Sequence, residues 1–460
     1  MAATILKSSM IIGRAHGAAA CLARSGARAG RPVAAVTRSA ATLCVLSHAA
    51  AAIGVPLFPL DPALPDAIVE ELIGQAGATV AVGERGVAGC RFVPEAALFE
   101  AGPAVPPPRS RLGAGDVALL VATSGTAGQP KAVMLTAQAL EAAAGASAAI
   151  TPLGTGDIWL ACLPLFHIGG HSILTRCALA GAEALLLQGF DAERLGRVLM
   201  TESVTHLSLV PAMLAQLLEV LPLAPPALRH VLVGGAALPA ALAERAAGRR
   251  WPVQPTYGMS ETASQLATLP CLPRPWRQGL VGRPLPGAEA GLSGDGRIKV
   301  RGPMLMAGYA NSSLTPGDGL EEGWFVTNDL AEILADGSLV ILGRADDVIV
   351  SGGEKILPAT VEALLESCPG LGAVAVVGRP DVVWGETVTA VYTGTMPPRA
   401  LLDWCRRAIS GALRPRAAVR LERLPLLASG KPDRAALRRL AIGGEAESGS
   451  AGQDQGSLGG

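Results

Sequence analysis

The chain has 460 residues, half of them apolar and 17% charged, and Lys plus Arg equals Asp plus Glu at 38 each. That length exceeds what one hydrophobic core organises, so two or more domains are expected, and the apolar content excludes a disordered chain. The balanced charge leaves no nucleic-acid or anionic-membrane footprint, so the expected partners are small molecules, with a homodimer left open.

The eight cysteines form no CxxC pair and lie in apolar surroundings, which reads as reduced core thiols of a cytoplasmic protein, not a disulfide or zinc framework. The apolar run at residues 10–13, between Lys7 and Arg14, is too short for a signal segment. The most membrane-like window, residues 41–60, contains His48, Pro56 and Pro59 and changes from helix-like to strand-like composition at Gly54. A buried helix followed by a buried strand explains it, and no integral membrane association is expected.

In chain order, residues 18–25 read as a helix, 32–36 as a strand and 40–52 as an Ala-rich helix. A strand at 54–58 is closed by Pro59, Asp61 and Pro62; a helix at 67–75 and a strand at 79–82 follow. This alternation predicts an α/β fold with parallel strands. A proline-rich connector at 103–108 leads to a buried strand at 117–121. Further strands are expected at 158–162, 184–187, 206–209 and 230–233, with helices at 137–148 and 212–220 between them. From Gly282 onward, short strands at 297–301, 324–327, 331–334 and 339–342 alternate with turns such as Asp336-Gly337, a β-rich texture. A smaller α/β segment has helices at 359–367 and 399–408 and strands at 373–377 and 419–423. The expected domains are residues 1–343 and 344–442, with a disordered tail at 443–460.

Five blocks carry chemistry. Thr123-Ser124-Gly125-Thr126-Ala127-Gly128-Gln129-Pro130-Lys131 puts three hydroxyls, two glycines and a lysine between a buried strand and a later helix. Glycines let backbone N–H groups approach an anion, and the lysine adds charge. It is not a Walker loop: Pro130 precedes the lysine, and Ala132 stands where the magnesium hydroxyl would be. In Tyr257-Gly258-Met259-Ser260-Glu261-Thr262 a hydroxyl adjoins a carboxylate, which suits phosphate and a hard cation such as Mg²⁺, and Tyr257 offers a ring face to a base. Asp329 in Thr327-Asn328-Asp329-Leu330 could accept from a ribose diol or simply be a turn aspartate. Gly343-Arg344-Ala345-Asp346-Asp347 follows. Ser351-Gly352-Gly353-Glu354-Lys355 is a glycine turn before a helix, and Lys431 lies in a polar loop, where most lysines are only solvated.

The order and spacing of these blocks resemble the adenylate-forming enzymes, the superfamily of acyl-CoA synthetases, peptide-synthetase adenylation domains and luciferases. The resemblance runs from about residue 15 to residue 440. It implies a large N-terminal domain of two α/β subdomains and a β-rich subdomain, plus a small mobile α+β C-terminal domain. It implies ATP, Mg²⁺ and coenzyme A as cofactor or co-substrates, and a carboxylic acid as substrate. By motif, Thr123, Ser124, Gly125, Thr126, Gly128 and Lys131 would order the ATP phosphates, Ser260 the α-phosphate, and Glu261 the metal. Gly235, Ala236 and Tyr257 would form the adenine pocket, and Asp329 with Arg344 would hold the ribose. Asp346 would be the hinge, Gly352 and Gly353 would line the thiol tunnel, and Lys431 would reach the carboxylate during adenylation. The segment ahead of residue 18 is reduced compared with the family's usual opening.

Specificity is expected in Leu163-Pro164-Leu165-Phe166-His167-Ile168-Gly169-Gly170, with Arg176 nine residues after His167. This stretch, and Ser264-Gln265, resemble the o-succinylbenzoate–CoA ligases of menaquinone biosynthesis. The resemblance implies that His167 and Gly258 line the acid pocket and that Arg176 meets a second carboxylate. His171 receives no role. Two other enzyme readings stay open: a CoA ligase for another aryl or short acyl acid, and a stand-alone adenylation enzyme loading a carrier protein. A non-catalytic nucleotide-binding protein is the reading from a different class.

Overall fold

A computed structural model describes residues 5–100, 110–123, 130–311, 313–426, 432–443 and 447–448. The chain divides into two compact units. The first holds residues 1–238, 242–327 and 333–340; the second holds 239–241, 328–332 and 341–460.

The expected helix at 40–52 is the helix Ala40–Ala52, started by Ser39, whose side chain accepts from the backbone N–H of Thr42. Its Ala49, Ala50 and Ala52 are buried, because small side chains let a helix pack closely against its neighbours. Strands Val33–Val36, Leu57–Leu60, Val80–Gly83 and Arg91–Pro94 run parallel, as the β–α rhythm requires. One expectation fails here: Pro59 does not close the strand but lies inside it, opposite Ala35. On its other side this strand registers with Val117–Thr123 only at Leu57 and Leu119, so that ladder has ended before the missing N–H of Pro59 matters. Lys131–Thr136 and Gly308–Tyr309 add antiparallel to complete a seven-stranded sheet.

A second seven-stranded sheet has the order Leu6–Lys7, Glu183–Leu186, Ile158–Ala161, His206–Leu209, His230–Val233, Val253–Met259, Ser264–Thr268. Its five middle strands are parallel, and the outer two pair antiparallel. The β-rich region forms a five-stranded sheet, Leu280–Gly282, Leu339–Arg344, Phe325–Ile333, Arg297–Arg301, Glu289–Leu292. The two short strands expected at 324–327 and 331–334 are one, Phe325–Ile333, and Asp329 sits in its middle, not in a turn.

In the second unit, Leu371–Asp381 and Gly385–Gly394 form a long hairpin covered by the helices Pro358–Leu365, Pro398–Ala408 and Arg434–Gly443. Gly385–Gly394 was not expected as a strand, although Val388, Ala390, Val391 and Tyr392 are buried. Glu447–Ser448 pairs with Ala417 and Ala418, inside the stretch expected to be disordered from residue 443. The connector at 103–108 and residues 449–460 lie outside the described residues. All eight cysteines are free thiols; six are buried, but Cys90 is half-buried and Cys271 exposed, so these two are not core residues. Among the described residues no helix is long and apolar enough to cross a membrane.

The helix Ile168–Ala180 starts against the backbone of the preceding turn. A Cβ at Gly170 would lie 2.4 Å from the Pro164 carbonyl oxygen, whereas one at Gly169 would meet only Leu163 Cδ1 at 3.6 Å. Gly170→Ala is therefore expected to cost about 1–3 kcal/mol by overpacking and to lower the urea midpoint. Gly169→Ala should leave the midpoint unchanged or raise it. Equal midpoints for the two variants would contradict this packing.

Candidate active site

The carboxyl ends of parallel strands are where open α/β sheets place ligand groups. In the second sheet these ends carry His167 after Ile158–Ala161, Gly235 and Ala236 after His230–Val233, and Tyr257 with Gly258 at the end of Val253–Met259. Gly235 adopts φ +78°, the left-handed conformation a glycine takes without strain. His167 is half-buried, packs edge-on to Phe166 at 4.8 Å, and accepts through its carbonyl from the N–H groups of Gly170 and His171.

Ser260 and Glu261 lie in the 3₁₀ turn Ser260–Thr262, which joins the two antiparallel strands Val253–Met259 and Ser264–Thr268. The Glu261 carbonyl accepts from Met306 N at 2.8 Å, which anchors the turn. Its carboxylate accepts from the Tyr309 hydroxyl at 3.0 Å. Burial, reinforced by the Glu261 charge, pushes the Tyr309 phenol well above its ordinary range, so Tyr309 remains a donor. The Lys131 ammonium sits 4.5 Å over the Tyr309 ring, a cation–π contact. One side chain thus links the last residue of the glycine-rich block to the carboxylate of the second block. Sequence reading missed Tyr309; its being one of three tyrosines was the available signal.

Thr123 and Lys131, which flank the rest of the glycine-rich block, pair across two antiparallel strands, and the later helix is Ala137–Ala148. Ser124, Gly125, Thr126 and Gly128 lie outside the described residues, as does Lys431.

Arg176 is 5% exposed on the helix Ile168–Ala180. Its Nη2 donates to Ser264 Oγ at 3.2 Å, and its guanidinium lies 5.3 Å from the Trp159 ring centroid. It has no ion-pair partner among the described residues, and its Nε is buried without an acceptor. Burial lowers its pKa from the ordinary guanidinium range to about 10, which still leaves it charged at neutral pH. Leu140, Ala143, Ala144, Ser172, Thr175 and Ala263 line the narrow pocket beside it. His171, on the same helix, is a core histidine: Nδ1 meets the Leu165 carbonyl at 3.2 Å, and burial lowers its pKa to about 4.

A Cβ on Gly258 would fall 1.6 Å from the Ser264 carbonyl oxygen, so only glycine fits where the two strands cross. Gly258 thereby brings the turn bearing Glu261 and the strand facing Arg176 into register.

In the second unit, Arg344 donates to both oxygens of Asp346 at 2.8 Å and lies 3.8 Å from Asp329 Oδ1. The Arg344 guanidinium holds the Asp346 carboxyl below its ordinary value. The next residue, Asp347, pairs with Arg434 at 3.1 Å and Arg438 at 3.0 Å, and Arg434 also pairs with Glu362 at 3.1 Å. Gly352 and Gly353 turn with φ +59° and +84°, and a Cβ on Gly352 would strike the Trp384 ring at 2.8 Å.

Among the described residues no cluster of three His, Cys, Asp or Glu could by itself hold a metal. Mg²⁺ takes one or two carboxylates and completes its octahedron with water and substrate phosphates. Glu261 is the carboxylate that fits: a half-buried hard oxygen donor, oriented by Tyr309.

Residues 13–310 match the model of the AMP-binding enzyme family, and residues 360–431 match that of the AMP-binding enzyme C-terminal domain. The chain is 37% identical over 334 residues to a 2-succinylbenzoate–CoA ligase of Bacillus cereus, covering 70% of this chain and 69% of that protein. It is similar to o-succinylbenzoate CoA synthetase (MenE) from Bacillus subtilis in complex with the acyl-adenylate OSB-AMP, with TM-score 0.82 and 29% identity over 94% of this chain and 92% of that one. The same synthetase with ATP and magnesium ion matches with TM-score 0.83 and 29% identity, over 93% and 94% of the two chains. The arrangement of blocks along the parallel-sheet edge and these two family matches agree: the chain belongs to the AMP-binding enzymes.

Proposed function

We infer that the chain is an AMP-forming carboxylate–CoA ligase that joins an acid to AMP with release of pyrophosphate, then passes the acyl group to the thiol of coenzyme A. Its acid is o-succinylbenzoate. The observation that carries the substrate is Arg176, a buried guanidinium with no carboxylate of the described residues to pair with. A buried charge of this kind is costly unless a ligand neutralises it, and a guanidinium takes a carboxylate through two parallel hydrogen bonds. A second carboxylate on the acid supplies that group. The names of the B. cereus relative and the B. subtilis synthetase support the same acid.

The chemistry follows from charge. The attacking carboxylate is already ionised, so no general base is required. The barrier lies in bringing one anion in line with the α-phosphate, and catalysis rests on positioning and charge stabilisation. Ser260 offers a hydroxyl to the α-phosphate, and Lys131 with the glycine-rich block holds the β- and γ-phosphates. Mg²⁺, held by Glu261, would neutralise phosphate charge when bound. Tyr309 orients that carboxylate, and Tyr257 with Gly235 and Ala236 receives the base. In the second unit, Asp329 beside Arg344 accepts from the ribose diol. Lys431 supplies positive charge to the first half-reaction alone. The free thiols support a cytoplasmic setting for the enzyme.

Incubation with ATP, Mg²⁺, CoA and a panel of acids, followed by mass spectrometry of AMP and thioester, tests the reading. o-Succinylbenzoate should give both products; turnover of benzoate alone would reject the substrate. Lys431→Ala should slow adenylation about 100-fold or more, while thioester formation from supplied acyl-adenylate stays within a few-fold. Equal loss in both half-reactions would reject the assignment. Tyr309→Phe should raise the Mg²⁺ concentration needed for half-maximal rate and leave the acid KM unchanged.

Arg176 also makes a stability prediction. Its folded pKa of about 10 lies below the ordinary guanidinium range, so the folded state binds this proton less tightly than the unfolded chain. The penalty, on the order of 3 kcal/mol, is full at neutral pH and fades only as pH rises through about 10 towards the ordinary guanidinium value. Arg176→Met should therefore leave the melting temperature unchanged or raise it. It should also raise the KM for o-succinylbenzoate by about thirtyfold or more, the loss expected when a buried charged partner is removed. A destabilised variant with unchanged KM would overturn this account.

A further inference from the structure

We propose that Ser264 is the positioning residue that sets Arg176 for the acid's second carboxylate, and that the left-handed backbone at Ser264 is what aims its hydroxyl. The inference rests on the reading of Arg176 given above.

The geometry begins with an oddity of backbone. Ala263 has φ +49° and Ser264 φ +105°, two successive non-glycine residues in the left-handed region. Side chains rarely adopt it, and such strain persists only where the surroundings impose it. They do so here from three directions. Thr262 Oγ1 donates to the Ser264 carbonyl at 3.1 Å and accepts from Met259 N at 3.1 Å. Gly258, without a Cβ, lets that same carbonyl close onto its backbone. On the other side Gln265 is buried, accepting from Ser147 Oγ at 2.6 Å and donating to Thr268 Oγ1 at 2.7 Å.

The consequence is a hydroxyl fixed in space. Ser264 Oγ accepts from Arg176 Nη2 at 3.2 Å and from Ser172 Oγ at 3.4 Å. Ser172 lies one helical turn before Arg176, so the same hydroxyl touches two positions on one helix face. Among the described residues this is the guanidinium's one hydrogen bond, and it is made to a neutral acceptor. A carboxylate there would neutralise Arg176 and remove the reason to bind an anion. A neutral hydroxyl orients the fork and leaves its charge, with the unpartnered Nε–H, for the ligand. A glycine at 264 would carry the same backbone without strain, so a serine there points to a use for the hydroxyl.

Steady-state kinetics of Ser264→Ala and Ser264→Gly test the assignment. Both should raise the KM for o-succinylbenzoate about tenfold, the size of one hydrogen bond to a charged group. The kcat and the KM for ATP should stay within twofold. Affinity for the matched mono-acid that lacks the second carboxylate should not change. Ser264→Gly should also melt higher than Ser264→Ala, because only glycine relaxes at this φ. If Arg176→Met raises the acid KM and neither Ser264 variant does, the positioning role is wrong while the reading of Arg176 stands. If Arg176→Met leaves discrimination between di-acid and mono-acid intact, the reading of Arg176 fails, and the role of Ser264 with it. If kcat, acid KM and ATP KM all shift together in both Ser264 variants, Ser264 is merely structural and the proposal is overturned.

Discussion

Two strands touch backbone to backbone at Gly258 and Ser264, closely enough that no side chain fits at the first position. Much of the first unit's site follows from that contact. It shortens the connection between Val253–Met259 and Ser264–Thr268 to a single 3₁₀ turn, and this turn carries Ser260 and Glu261. It also drives Ser264 into left-handed backbone, with its hydroxyl against Arg176. Glu261 and the hydroxyl that meets Arg176 are therefore placed by one constraint, at and just after the same turn. The register shift between Tyr257 and Gly258 marks where the ladder yields to accommodate it.

The charges fall into two kinds. In the second unit several arginines are paired: Arg434 is shared between Asp347 and Glu362, Arg438 also reaches Asp347, and Arg344 grips Asp346. Half-exposed pairs such as Arg344–Asp346 contribute little to stability individually, but linked ones hold a segment in place. The network gathers Asp347, the helix Pro358–Leu365 and the helix Arg434–Gly443, so the chain is held firmly from the residue after the proposed hinge at Asp346. Arg176 is the opposite case, deeply buried and left without a counter-charge among the described residues. Folding tolerates it because Trp159 and Ser264 partly solvate the guanidinium. The neighbouring histidines add no positive charge at neutral pH, since burial lowers His171 and His206 to about 4.

Where the sequence was read correctly, the signal was local. Residues 40–52, 137–148, 206–209 and 230–233 form the expected elements because periodicity, small residues and caps such as Ser39 and Thr136 act over a few positions. Errors arose where a distant partner decides. Pro59 reads as a strand stop until the neighbouring ladder is seen to end first. Asn328-Asp329 reads as a turn until the flanking strands of its sheet are present. The strand Lys131–Thr136 between the glycine-rich block and the later helix was not expected, because its pairing with Val117–Thr123 is what makes it a strand.

The sequence by itself determined the family, the α/β architecture and the candidate chemistry, because these rest on residue types in a fixed order and need no knowledge of contacts. Through the resemblance it also singled out Arg176 and the pair Ser264-Gln265. Only the tertiary structure decided what those residues do to one another. Tyr309 meets Glu261 from 48 residues away and Ser264 meets Arg176 from 88. Neither separation leaves a trace in local pattern. Whether a buried cation has a counter-charge depends on every segment packed around it, and for Arg176 that answer is what supports the proposed second carboxylate on the substrate.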